Sequence, residues 1–261
     1  MRVALCLSGE PRDFDYVWPE LKYKLNCTNI DIYVHTWHST QLTSQLPNFA
    51  ERGETYNQTH TDQIRSTEYI YSTLPKNFLV ENYYASHPFL RFQTRNIPSS
   101  ITRMYSMYYG IQSVINLINY NNYDYVIRMR PDIFLQDKLN WVEIKQQLDD
   151  NPKLVLIPDL VINIGGGGGE NAWTEKSEYI PDFFSIFKSN NQLYFDVYNQ
   201  LNDMCGLHVD SSIREYGNLA SIPELYMAYY LNFKGFAPKK LNFKMILARH
   251  NKQILNNQPI L

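Results

Sequence analysis

The segment Arg128-Met129-Arg130-Pro131-Asp132 closes an apolar run, Tyr123 to Ile127, with three charged side chains. A buried strand seldom ends this way without a purpose, because charged groups are costly to desolvate. In extended backbone Arg128 and Arg130 project to one face, and two guanidinium groups on one face call for an anion. A diphosphate leaving group would satisfy them. Asp132 could then hold the divalent cation, Mn2+ or Mg2+, that shares the diphosphate charge, since hard cations take carboxylate and phosphate oxygens together. The alternative is an internal Arg–Asp pair beside a turn proline.

The first loop, Ser8-Gly9-Glu10-Pro11-Arg12, is the second candidate. Gly9 permits close backbone approach and Arg12 supplies a cationic fork, a pairing suited to a nucleotide. It is neither a GxGxxG nor a P-loop motif, so alone it reads equally as a turn. For acid–base chemistry the candidates are Asp182, beside the apolar run Phe183 to Phe187, and Glu224, which follows Pro223. Glu224 also suits the first turn of a helix, where the dipole favours a negative charge. His250, after the last expected strand, could complete a metal or phosphate site. His35 and His38 diverge at a strand end and read as structural, with no HExxH context. The run Gly165 to Gly169 is either a lid, paying ordering entropy on closure, or a solvent-exposed loop. No Ser-His-Asp or Cys-His context supports nucleophilic hydrolysis.

The elements that position these residues alternate along the chain. Val3–Leu7 reads as a buried strand and Tyr16–Leu25 as a helix with Val17, Leu21 and Leu25 on one stripe. Ile30–Val34 resumes a strand, giving a βαβ opening. Residues 39–76 are polar and irregular, with helical spacing around Thr61 to Tyr71, and Phe78–Val80 is a short strand. Ser99 and Ser100 can cap a helix whose Ile101, Met104, Tyr105, Tyr108, Ile111, Ile115 and Ile118 recur at three and four, ending at Asn121-Asn122. Further strands are expected at Ile133–Leu135, Leu154–Ile157, Phe183–Phe187 and Phe243–Leu247, and helices at Trp141–Leu148, Gln192–Leu201 and Glu224–Leu231. This order predicts a mixed α/β sheet, mostly parallel and Rossmann-like, with helices on both faces and ligands beyond the carboxyl ends of strands.

Composition excludes several classes. In 261 residues, a 44% hydrophobic and 19% charged make-up rules out disorder and low complexity. A formal net charge of -2 gives no electrostatic basis for a nucleic-acid partner. Cys6, Cys27 and Cys205 form no CxxC pair, so neither a disulfide framework nor a cysteine zinc cluster is expected. The apolar run at the start is too short for a signal peptide or membrane span, and no later stretch has transmembrane length. A soluble, cytoplasmic protein is the expectation. The abundance of Asn, Ile, Tyr and Lys is a bias common in A+T-rich genomes, as in some giant viruses and low-G+C bacteria.

Taken in order, these segments resemble a family of small nucleotide-sugar glycosyltransferases of the GT-A fold, found in bacterial surface-polysaccharide loci and large DNA viruses. The parts that carry the resemblance are Val3 to Arg12, Asp31-Ile-Tyr-Val-His-Thr-Trp37, Met104-Tyr-Ser-Met-Tyr-Tyr109, Tyr123 to Asp132, Ile180-Pro-Asp-Phe-Phe184 and Ile222-Pro-Glu224. The resemblance implies a single GT-A-like domain over 1–261, with residues 1–135 as the donor-binding half and 136–261 on the acceptor side. It implies a UDP-sugar donor near Ser8, Gly9, Arg12, Arg128 and Arg130, a glycan acceptor, a divalent cation on Asp132 and His250, and Asp182 or Glu224 as base. The family's usual Asp-x-Asp reads here Arg130-Pro131-Asp132, so the first carboxylate is absent and Arg130 partly replaces a cation. The family's Asp-Gln-Phe reads Asp182-Phe183-Phe184. In host cells infected by a virus the location would be the host cytoplasm. A non-catalytic nucleotide-sugar or glycan binding module is the alternative, in keeping with the missing aspartate; a nucleotidyltransferase ranks last, for want of a triphosphate fingerprint.

Overall fold

Val3-Ala-Leu-Cys-Leu-Ser8 has no side chain that demands water, and it forms β1 (Val3–Ser8), buried at every position. The computed structural model describes residues 1–9, 14–37, 69–70, 72, 78–81, 99–164, 173–175, 183–206 and 223–248. After β1 come α1 (Phe14–Lys24), β2 (Ile30–Trp37), β3 (Phe78–Glu81), α2 (Ser99–Ile115), β4 (Tyr125–Met129) and β5 (Ile133–Leu135). They are followed by α3 (Trp141–Asp150), β6 (Leu154–Ile164), β7 (Trp173–Glu175), β8 (Phe184–Lys188), α4 (Val197–Gly206), α5 (Pro223–Phe233) and β9 (Ala237–Ala248).

The strands form one mixed sheet in the order β3-β2-β1-β4-β8-β6-β9-β5, with β7 also on β6. Strands β3, β2, β1 and β4 are mutually parallel, as are β6 and β9, and most paired residues lie in these ladders. The β4–β8, β6–β8, β6–β7 and β5–β9 pairings are antiparallel. The expected α/β class and its helices on both faces are what the chain forms.

Period-two alternation along β1 and β4 divides the core. Leu5, Leu7, Ile127 and Met129 face α1 and α3, meeting Phe14, Trp18, Leu21, Trp141 and Ile144. Ala4, Cys6 and Val126 face the other helices, meeting Tyr105, Tyr108, Ile111, Tyr226 and Tyr230. Helix α3 is started by Asn140, whose side chain accepts from the N–H groups of Val142 and Glu143, two of the donors that a helix start leaves without an internal partner.

Five elements differ from the expectation. Helix α2 ends at Ile115, six residues early, and a 3-10 turn fills Tyr120–Asn122. Helix α4 begins at Val197 rather than Gln192, because Gln192 and Tyr194 hold left-handed backbone, with φ of 50° and 68°, that a helix cannot contain. Strands β6 and β9 run well beyond their apolar centres: β6 passes Pro158 through a register shift against β9, and β9 starts in the exposed run Ala237–Lys240. Strand β7 was not expected. Among the described residues, no helix is long and apolar enough to cross a membrane.

Candidate active site

From β1 the chain builds β2 and β3 to one side, and α2 then carries it back to β4 on the other side of β1. Connections that leave neighbouring parallel strands in opposite directions open a crevice at their carboxyl ends. Here that crevice lies between Ser8 and Met129, the last residues of β1 and β4, whose strands pair Leu7 with Met129. Gly9 follows at φ 130°, which side chains rarely tolerate, and a Cβ on it would stand 3.5 Å from Pro131 Cδ. Gly9 and Pro131, one from each segment singled out by its chemistry, therefore lie against each other. Gly9 N–H also donates to the His35 carbonyl at 3.3 Å, tying in the end of β2.

Arg128 is wholly buried, the largest side chain to be so among the described residues. Its Nη2 donates to Ser8 Oγ at 3.1 Å, fixing that hydroxyl as an acceptor toward Arg128 and turning its own proton elsewhere. In register Arg128 stands between Cys6 of β1 and Ser185 of β8, and Ser185 Oγ accepts from the Tyr194 hydroxyl at 3.1 Å. Burial pushes the Cys6 thiol well up, more than the adjacent guanidinium draws it down, so the thiol stays neutral. Arg128 thus acts on the crevice through Ser8. Next to this row the buried His35 ring meets Tyr109 at 5.8 Å between centroids. Gly110 lets α2 approach: a Cβ there would lie 3.1 Å from His35 Nδ1 and 3.8 Å from Ser8 Cβ.

Arg130 is the partly exposed member, at 17%, beside an Asp132 carboxylate that is 1% exposed. Arg130 Nε and Nη2 donate to Asp132 Oδ1 and Oδ2 at 2.9 and 2.7 Å, a two-point fork. The Arg130 guanidinium carbon sits 5.0 Å from the Phe183 ring centroid, and its backbone N–H donates to the Phe183 carbonyl at 3.0 Å. A divalent cation on Asp132 would have to displace this fork from both oxygens of a buried carboxylate. Among the described residues, no group of three His, Cys, Asp or Glu side chains could hold a metal ion. These residues do not fit a resident divalent cation at Asp132.

Of the expected site residues, Ser8, Gly9, Arg128, Arg130 and Asp132 come together at the crevice. Glu224 lies in the first turn of α5, as its position after Pro223 implied. Arg12, Asp182, His250, His38 and the run Gly165 to Gly169 lie outside the described residues. Phe183 and Gly110 were missed as parts of the site. For Gly110 a signal existed, since a glycine within an aromatic helical stripe marks a close approach; for Phe183 the ring reads as core until its strand is placed beside β4.

No protein-family model matches the sequence, and no curated protein does. Among solved structures the chain is similar to one from Bacillus anthracis assigned as a glucose-1-phosphate thymidylyltransferase, at a TM-score of 0.37 and 11% identity over 94% of this chain and 88% of that one. It is also similar to the glycosyltransferase GlyE of Streptococcus pneumoniae TIGR4, at a TM-score of 0.38 and 8% identity over 92% of this chain. In that second comparison it spans 45% of the other chain's length.

Proposed function

We propose that this chain is a nucleotide-sugar-dependent glycosyltransferase of the GT-A type, moving a hexosyl group from a UDP-sugar to a glycan hydroxyl in the cytoplasm. The observation that carries the reading is the meeting of Ser8-Gly9 and Arg130-Pro131-Asp132 where the sheet reverses its direction of growth. Residues 1–135 form the donor half and residues 136–261 the acceptor side.

In the reaction the bond from the anomeric carbon to the β-phosphate oxygen breaks, and the diphosphate leaves with the electron pair. Its growing charge is met by Arg130 and Arg12, with Ser8 oriented by Arg128. Donors that meet charge only as it develops lower the barrier more than they tighten substrate binding. A bond forms from the acceptor oxygen to the anomeric carbon. Asp182 takes the acceptor proton if the centre inverts; with retention the departing diphosphate oxygen takes that proton and the carboxylate instead stabilises positive charge on the sugar. Support for Asp182 over Glu224 comes from its covalent neighbour Phe183, which lies against Arg130.

The test is release of UDP from a panel of UDP-sugars offered with and without mono- and oligosaccharide acceptors. Acceptor-dependent release, lost in Asp182→Asn with donor binding kept, is the expected result. Tight donor binding with no release under any acceptor would favour the binding-module reading, and no binding of any UDP-sugar would overturn both.

A further inference from the structure

We infer that Arg130, braced by Asp132 and Phe183, is the diphosphate clamp of this chain, and that the clamp works without a divalent cation, Asp132 being a positioning residue for the arginine. The inference rests on the donor-site reading above and specifies its chemistry.

A guanidinium carries five N–H bonds in one plane. Two of them, on Nε and Nη2, are spent on Asp132. The second on Nη2 and one on Nη1 form the adjacent, end-on edge of the guanidinium, which meets no acceptor among the described residues. Two contacts fix where that edge points. Asp132 holds one side of the plane in register, and Phe183 lies against the cation. Because Asp132 sits only two residues beyond Arg130 across Pro131, whose ring limits the backbone, the brace is local and needs no ligand to form. A pre-oriented fork with a free edge matches two phosphate oxygens, which a flexible cation would have to be ordered to meet.

The same geometry explains the missing first carboxylate. In an Asp-x-Asp arrangement the two acids converge on an ion that in turn binds phosphate. Here the position two residues before Asp132 carries the positive charge itself, so the chain has placed its cation on a side chain. Phe183 follows as part of the same device, since a flat aromatic face supports a guanidinium better than an amide would.

The test is calorimetric titration of UDP into the full chain in EDTA and in Mn2+. For the native chain, affinities in the two conditions are expected to agree within about threefold. Removing Arg130 alone would take both points of the fork from a buried carboxylate, so the informative variant is the double substitution Arg130→Gln/Asp132→Asn, which replaces an ion pair by a neutral hydrogen-bonded pair. It should keep the native circular dichroism spectrum and weaken UDP binding on the order of tenfold or more. Arg130→Lys, which keeps the charge and loses the fork, should weaken it to a similar extent. Native binding that Mn2+ strengthens tenfold, with the gain lost in Asp132→Asn, would overturn the inference while leaving the donor site in place. A folded double variant that binds UDP like the native chain would do the same. No UDP binding by the native chain in either condition would overturn the donor-site reading and the clamp with it.

Discussion

Gly110 on α2 stands so close above His35 on β2 that a methyl group in its place would lie 3.1 Å from the imidazole Nδ1 and 3.5 Å from Cε1. His35 is fully buried beneath it and cannot swing into solvent. A Gly→Ala change inside a helix ordinarily gains about 1 kcal/mol, whereas overpacking a filled core costs about 1–3 kcal/mol. Gly110→Ala should therefore show no propensity gain and a net loss of about 1 kcal/mol in urea unfolding, with Gly110→Val worse. A stabilised Gly110→Ala protein would show that His35 yields easily.

Arg128 combines the volume of a large core residue with a charge, and two substitutions separate them. Arg128→Ala removes both and leaves a cavity between β1, β4 and β8, which should cost roughly 2–5 kcal/mol. Arg128→Met removes the charge and fills most of the space, so its loss should be less than half as great. Equal losses in chemical denaturation would place the cost in the charge and its hydrogen bond to Ser8 instead.

Asp196 joins the segment before α4 to the end of α5, accepting from the Tyr230 hydroxyl at 2.7 Å and pairing with Lys234. Burial acts to raise its carboxyl, but the hydrogen bonds from Lys234 and Tyr230 prevail and hold it below its ordinary value. A carboxylate depressed in the folded state contributes stability that is complete above its unfolded pKa of about 3.9 and is lost as pH falls through the folded value. The gap in Tm between the native chain and Asp196→Asn should be widest near neutrality and should narrow as pH falls below about 4. A gap independent of pH would mean that the pair's charge plays no part.

Asn140 accepts from two N–H groups at the start of α3, at 3.2 and 3.4 Å. Asn140→Ala should lower stability by about 1 kcal/mol and Asn140→Gly by only a few tenths. Thermal unfolding of the two variants checks the order, and equal losses would point to the backbone rather than the cap.

Strands whose burial is uniform were legible in the sequence, because apolar runs such as Val3–Leu7 carry their own signal. The charged end of β4 was legible too, since its arginines stand out against the apolar run before them. The neighbours themselves were hidden. Lys239 and Lys240 read as loop because they are exposed, and yet they pair with Leu156 and Ile157 in a parallel ladder. Nor does local pattern reveal that the last strand enters the sheet between β6 and β5. At the site, residue types announced an arginine and an aspartate; only the turn at Pro131 decides that they grip each other, and only the antiparallel approach of β8 brings Phe183 to them.

The hydrogen bond from Arg128 to Ser8 joins residues 120 positions apart, which has a consequence for how the molecule is made. Ring closure over such a span is entropically costly, and non-local parallel pairing is slow to nucleate. A nascent chain that has emerged only as far as α2 contains Ser8 and Gly9 but lacks Met129 to Asp132, the other side of the crevice. The crevice needs β4 docked against β1. A nucleotide that grips both strand ends would then hold shut a seam closed over a long loop, and protect the chain from unfolding there.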